Sequence, residues 1–117
     1  MSDSDIQMKR ELIYSPEYVE FMKNSNDRTK EKLSYAAAVL ETLCPVPSKF
    51  VKKLVNTDFY EMRVSVHSEV RVILFSVDHE NLNLSTKVIF LNGFIKKSAK
   101  DYEREVRKAV KILRDLL

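Results

Sequence analysis

Three stretches between residues 59 and 95 constrain the fold of this chain more than anything else in it. "FYEMRVSV" alternates, so Met62, Val64 and Val66 face one way while Glu61, Arg63 and Ser65 face the other. "VRVILFSVD" is a nearly continuous apolar run interrupted by one charge, Arg71, and "TKVIFLNGFI" is a third long run. The pieces between them, "VHSEV" and "DHENLN", are short and polar and read as turns. Successive strands joined by short turns predict an antiparallel meander. Runs this apolar predict inner strands covered on one face by helices.

The flanks change period. "RELIYS" at 10–15 is short and apolar-centred, suited to an edge strand. "SPEYVEFMKN" opens a helix, with Ser15 as N-cap and Pro16 at the first helical position. Val19, Met22 and Tyr18 are its candidates for the inner face. After the polar "SNDRTKEK", a second helix places Leu33, Ala36, Ala37, Leu40 and Leu43 at spacings of three and four. "CPVPS" ends it, because a residue before proline is pushed out of helical geometry. From Ser98 the period is again helical. Tyr102, Val106, Ala109, Val110, Leu113 and Leu116 form one stripe, and Lys100, Arg104, Arg107, Lys108, Lys111 and Arg114 the opposite side. Ser98 is the expected cap, with Asp101 at the third helical position. The order β-α-α-β-β-β-α predicts one α+β domain over residues 1–117. Two N-terminal helices pack on a three- to four-stranded antiparallel sheet, and a C-terminal helix follows.

Several chemistries are disfavoured. The single cysteine, Cys44, rules out an internal disulfide and a multi-cysteine metal site, and reads as a small buried residue at a helix end. His67 and His79 fall in predicted turns without ligand-like spacing, so no metal and no cofactor are expected. Phosphate-loop, dinucleotide-binding and nucleophile-elbow motifs do not occur. No apolar stretch has membrane-spanning length and "MSDSDIQMKR" does not read as a signal peptide, which predicts a cytoplasmic protein without a membrane partner.

Charge is more informative by position than in total. Residues 1–60 carry nine basic and nine acidic side chains, residues 61–86 two and four, and residues 87–117 nine and four. The positive charge therefore gathers around "LNGFIKKSAKDYEREVRKAV", the footprint of a phosphate- or carboxylate-rich partner or of a solvated helix face. Arg71 sits inside a strand written for burial. It must pair with an acid such as Glu61, lie at an edge, or project into a cleft. With Arg63, Lys96 and Lys97 it would form a concave site for phosphate. Gly93, the chain's one glycine, either bends the last strand toward that cleft or leaves room for a packed helix.

"DFYEMRVSV", "VRVILFSVD" and "LNGFIKKSAKDYEREVRKAV" resemble, in this order and spacing, the phage-derived, HigB-like branch of the RelE/ParE toxin superfamily. The clear match covers about residues 57–110, and its most specific part is Asn92-Gly93-Phe94-Ile95-Lys96-Lys97-Ser98-Ala99-Lys100, followed by Glu105 and Ala109. The resemblance implies a type II toxin neutralised by a helix-turn-helix antitoxin. Its expected activity is metal-independent cleavage of mRNA on the ribosome by attack of a ribose 2′-hydroxyl. It implies Arg71, Lys96 and Lys97 as catalytic residues, and Arg63, Lys100 and Arg104 as RNA contacts. Tyr102 lies near a functional aromatic of some relatives but also fits the apolar stripe. Where many relatives carry histidine this chain has Asn92, which leaves the general base to a lysine or to Glu61. A ParE-like toxin acting on a protein such as DNA gyrase, and a degenerate antitoxin-binding member, are the alternative expectations.

Overall fold

The computed structural model describes residues 9–117. The reading of the first residues as lacking a signal peptide therefore lies largely outside the described residues. Along the chain come strand β1 (Glu11–Tyr14), helices α1 (Pro16–Lys23) and α2 (Asp27–Thr42), strands β2 (Val51–Lys53), β3 (Phe59–Ser65), β4 (Glu69–Ser76) and β5 (Lys87–Lys96), and helix α3 (Lys100–Leu116). One five-stranded sheet is ordered β1-β5-β4-β3-β2.

The meander from β3 to β5 is antiparallel, as the turns require. The sheet as a whole is larger and mixed. β1 pairs parallel to β5, and a short β2 adds to β3 at the opposite edge. A parallel pairing needs a crossover, and here the chain from α1 to β4 supplies it. β2 has only three residues, two of them exposed lysines, so no apolar pattern announces it. Among the described residues no helix is long and apolar enough to cross a membrane.

Two cores flank the sheet. On one face Met62, Val64, Val70, Val72, Leu74, Val88 and Phe90 meet Tyr18 of α1 and Leu33, Ala36, Ala37 and Leu40 of α2. On the other, Phe59, Ile73, Ile89, Leu91 and Phe94 meet Ala109 and Ile112 of α3. Both faces of the sheet are thus covered, which explains why β4 and β5 read as nearly unbroken apolar runs.

Local chemistry sets the helix ends. Ser15 Oγ accepts the Tyr18 N–H at 2.9 Å and Pro16 occupies the first turn, as the sequence predicts. The cap of α3 differs from expectation. Ser98 makes no side-chain cap, and Asp101 Oδ2 instead reaches back to the N–H groups of Lys97 (2.6 Å) and Ser98 (3.0 Å). In α1 it is Tyr18, Phe21 and Met22 that pack inward, while Val19 is exposed. Leu43 and Cys44 are also exposed, because α2 ends at Thr42 and the chain turns away. Cys44 is therefore a surface residue whose thiol contacts the Asn83 carbonyl at 3.2 Å.

Arg10 carries a role with no counterpart in the sequence pattern. It is 1 % exposed, and its guanidinium donates to the carbonyls of Leu40 and Leu43 (2.7 Å each), Asn83 (3.1 Å) and Leu82 (3.4 Å). It thereby ties the open C-terminal carbonyls of α2 to the one-turn 3-10 segment Leu82–Leu84, where a positive charge suits the helix dipole.

A single irregularity governs which side chains reach which face. Ile73 pairs with Asn92 and Leu74 with Phe90, so Leu91 is an extra residue, a β-bulge. Leu91 and Asn92 consequently both face α3. Beyond them Gly93 faces α1, and Phe94 faces α3 again.

Candidate functional site

The α3-facing surface of the sheet carries an ordered grid of side chains at the end where β5 runs into α3. Ser65, Glu69 and Lys96 are neighbours across the three strands, and Arg63, Arg71 and Phe94 form the adjacent row. Glu61, Ile73 and Asn92 form the next. The alternation of "EMRVS" places Glu61, Arg63 and Ser65 on this face. The first turn of α3 then lays Tyr102 over it, with its ring edge-on to Phe94 at 5.5 Å between centroids.

Arg71 is the centre of this surface and is 2 % exposed. Its Nε donates to Tyr102 Oη at 3.1 Å and lies 3.3 Å from Glu61 Oε1. Its Nη1 donates to the Val70 carbonyl and its Nη2 to Glu69 Oε1, each at 3.0 Å. The Tyr102 hydroxyl in turn donates to Glu61 Oε1 at 2.5 Å. The buried guanidinium is thus matched by two carboxylates and a phenol, the arrangement that makes its burial tolerable. Of the sequence-based alternatives for Arg71, the ion pair with Glu61 is the one present. Burial lowers the guanidinium's affinity for its proton, but hydrogen bonds to Tyr102 and Glu69 outweigh that and leave its pKa raised. Burial, and then the hydrogen bond to Glu61, raise that of Tyr102, so the phenol stays protonated at neutral pH.

Around this locked centre the other candidates are open to solvent. Arg63 is half-buried directly across from Arg71, and among the described residues no carboxylate lies within ion-pair distance of it. The Lys96 ammonium sits 5.7 Å from the centre of the Tyr102 ring, a cation–π position that aims it along the same surface. Lys97 is exposed in the turn between β5 and α3, and Lys100 is exposed at the first residue of α3. Arg104 is exposed but shared between Asp101 (3.0 Å) and Glu105 (3.4 Å). The structure thus brings Arg63, Arg71 and Lys96 into one cluster with Glu61, Glu69 and Tyr102, and it sets Lys97, Lys100 and Arg104 on the rim.

Two residues read from sequence take different roles. Tyr102 is more than an apolar anchor, since its hydroxyl bridges Arg71 and Glu61. Asn92 lies under α3, 5 % exposed, and its Nδ2 donates to the Glu105 carbonyl and to Glu105 Oε1 at 3.1 and 3.0 Å. The position is a strand-to-helix tether, so Asn92 does not belong to the cluster around Arg71. Glu105 itself is buried, and Lys108 and Arg104 balance its charge at 3.4 Å each. Glycine at 93 serves close packing: a Cβ built there would run into the Phe21 ring of α1, and the backbone has an ordinary negative φ. Glu69 escaped the sequence reading, although its place two residues before Arg71 on the same strand face was the available signal.

Among the described residues no group of three or more His, Cys, Asp and Glu side chains is placed to hold a metal ion. The chemistry on offer is that of cations, a phenol and two carboxylates clustered on one face of the sheet, with Arg71 and Glu61 buried beneath the more open Arg63, Lys96 and Glu69. The concave site expected from the sequence is not seen among the main cavities of the described residues, none of which these residues line. Such a set can bind phosphate, stabilise developing negative charge and pass a proton between Tyr102 and Glu61.

No curated protein matches the chain. A family model does, over residues 20–114, a span that takes in most of both core layers, the bulged strand and every residue of the cluster around Arg71. The chain belongs to the phage-derived protein Gp49-like family (DUF891).

Proposed function

We propose that this chain is the toxin of a toxin–antitoxin pair and that it cleaves mRNA on the ribosome. The observation that carries the reading is the cluster of Arg63, Arg71 and Lys96 beside the Tyr102–Glu61 hydrogen bond, in a chain of this phage-derived family. Lys97, Lys100 and Arg104 extend the positive surface along which a message would lie. Cleavage needs no metal in this scheme. The ribose 2′-oxygen attacks the adjacent phosphorus while its proton passes to the Tyr102 oxygen and the phenol proton to Glu61. The 5′-oxygen leaves with a proton from Lys96 or Lys97, giving a 2′,3′-cyclic phosphate and a 5′-hydroxyl. Arg71 fixes Glu61 and Tyr102 and offsets charge at the phosphorane.

The test is cleavage of ribosome-bound message by the purified chain. Wild type is expected to cut. Tyr102→Phe and Lys97→Ala should each lower the rate by about 10²-fold or more. A wild type that leaves ribosome-bound message intact, or two variants that cut normally, overturns the mechanism. Arg71→Ala is a poorer probe, because it also strands two carboxylates.

A second reading is favoured by one observation: each nitrogen of the Arg71 guanidinium already has a partner within the chain. A toxin that acts by binding a protein such as DNA gyrase, or a member that only binds its antitoxin, would leave the cluster this way. A supercoiling assay separates the first of these, and absence of growth arrest on expression alone marks the second. A helix-turn-helix protein encoded next to this chain is the expected antitoxin.

A further inference from the structure

Arg71 holds two carboxylates that differ sharply in freedom. Glu61 is buried, its side chain 9 % exposed, and is pinned by the Tyr102 hydroxyl at 2.5 Å. Glu69 is 52 % exposed on its side chain, and its Oε1 rests on Arg71 Nη2 at 3.0 Å. Its other hydrogen bonds come from the Ser65 hydroxyl, at 3.1 and 3.0 Å to the two carboxylate oxygens. Across the ladder stands Lys96, and beside Ser65 on β3 stands Arg63. One half-exposed carboxylate is therefore paired with Arg71 and a hydroxyl donor, with Lys96 opposite it in the ladder and Arg63 beside Arg71 on the same face. That donor set suits the oxygens of a phosphate at least as well as those of a carboxylate.

We propose that the Glu69 carboxylate occupies the position that an RNA phosphate takes on Arg71, Arg63 and Lys96, and that Glu69 swings into solvent when RNA binds. The ligand class, a nucleic-acid phosphodiester, rests on the RNA reading given above; the anion site itself does not. Exchange leaves no buried charge alone, because Arg71 keeps Glu61 and Tyr102 throughout. Hydrogen bonds from Arg71 and then from Ser65 hold the Glu69 carboxyl below the usual carboxylate range. Protonation at neutral pH therefore does not open the site; a competing anion does. Glu69 makes the cluster selective for ligands that bring their own negative charge to this point and repels anions held only by the rim.

Binding of inorganic phosphate and of a 2′-O-methyl trinucleotide, which cannot be cleaved by 2′-oxygen attack, tests this on the isolated chain. Glu69→Ala should bind both about tenfold tighter than wild type, as expected when a charge-assisted competitor is removed. The Arg71 Nε–H resonance should shift on phosphate addition in this variant. Lys96→Gln in the Glu69→Ala background should reverse most of the gain. Glu103→Ala removes the same charge from an exposed site on α3 and should bind as wild type does. Equal affinity of Glu69→Ala and wild type overturns the inference, as does an equal gain in Glu103→Ala or a gain without movement of the Arg71 signal. A gain for phosphate but not for the trinucleotide overturns the RNA assignment. None of these measurements needs a ribosome, so a chain that fails to cut mRNA would sink the proposed cleavage and leave this test standing.

Discussion

At the scale of single residues, two side chains mark where the sheet meets its helices. Gly93 lets the Phe21 ring of α1 pack directly against β5. Gly93→Ala should destabilise the fold by about 1–3 kcal/mol in urea unfolding, the range for overpacking a core. In a Phe21→Ala background the same change should cost much less, and that coupling identifies the ring as the cause. Tyr102 is the second. Tyr102→Phe keeps the packing on Phe94 but removes the donor to Glu61 and the acceptor from Arg71. A loss of about 1–3 kcal/mol is expected, with the helix signal unchanged below the transition. The sequence made Arg71 conspicuous, because one charge interrupts an aliphatic strand. It concealed what Tyr102 does, because spacing says which side of a helix faces inward and nothing about where a hydroxyl lands.

Among elements, the two devices that organise the loops are polar and were invisible to any hydrophobic pattern. Arg10 fastens the end of α2 to the Leu82–Leu84 turn through four carbonyls. Arg10→Ala strands those acceptors in a dry place and should cost about 3 kcal/mol or more in chemical denaturation. Asp78 organises the β4–β5 connection in a similar way. Its carboxylate accepts from Ser85 Oγ, Thr86 Oγ1 and the N–H groups of Thr86 and Lys87. Those bonds, Ser85's first, hold its pKa well below the ordinary carboxylate value. A depressed pKa means the folded state binds the proton less readily than the unfolded chain. The stabilisation is thus fully present above about pH 4 and fades as pH falls below it. Asp78→Asn should be less stable than wild type at pH 7, and the gap should close on titration to acid. The three meander strands and the three helices were legible because each repeats an apolar period over seven or more residues. β2 was not, since three residues held by backbone pairing carry no period. The inward side of α3 was read slightly out of phase: Glu105 and Ile112 are buried, while Val110 and Leu116 are exposed. Burial of Glu105 depends on Asn92 lying beneath it, and that placement follows from the bulge.

For the molecule as a whole, charge is distributed by depth. The buried guanidinium of Arg71 is neutralised internally, and the cations available to a partner lie on the rim and along α3. Under the RNA reading proposed above, removing Lys100 and Arg107 together should weaken RNA binding and lower the magnitude of the slope of log affinity against log salt by about 0.7 for each phosphate that is no longer neutralised. The same substitutions should leave the unfolding midpoint nearly unchanged, as expected for exposed charges. The bulge at Leu91 has a further consequence for the whole architecture. β5 behaves as two rulers joined end to end: one aligned by β1 and the last residues of β4, the other by the first residues of β4. Excising Leu91 would not turn the second ruler over. Phe90 and Asn92 would become neighbours with their present partners Leu74 and Ile73, and Phe94 and Lys96 would still face α3. A one-residue deletion, which in an ordinary strand inverts every position downstream, is here expected to remove one leucine's worth of core and leave the facing of the residues around Arg71 intact.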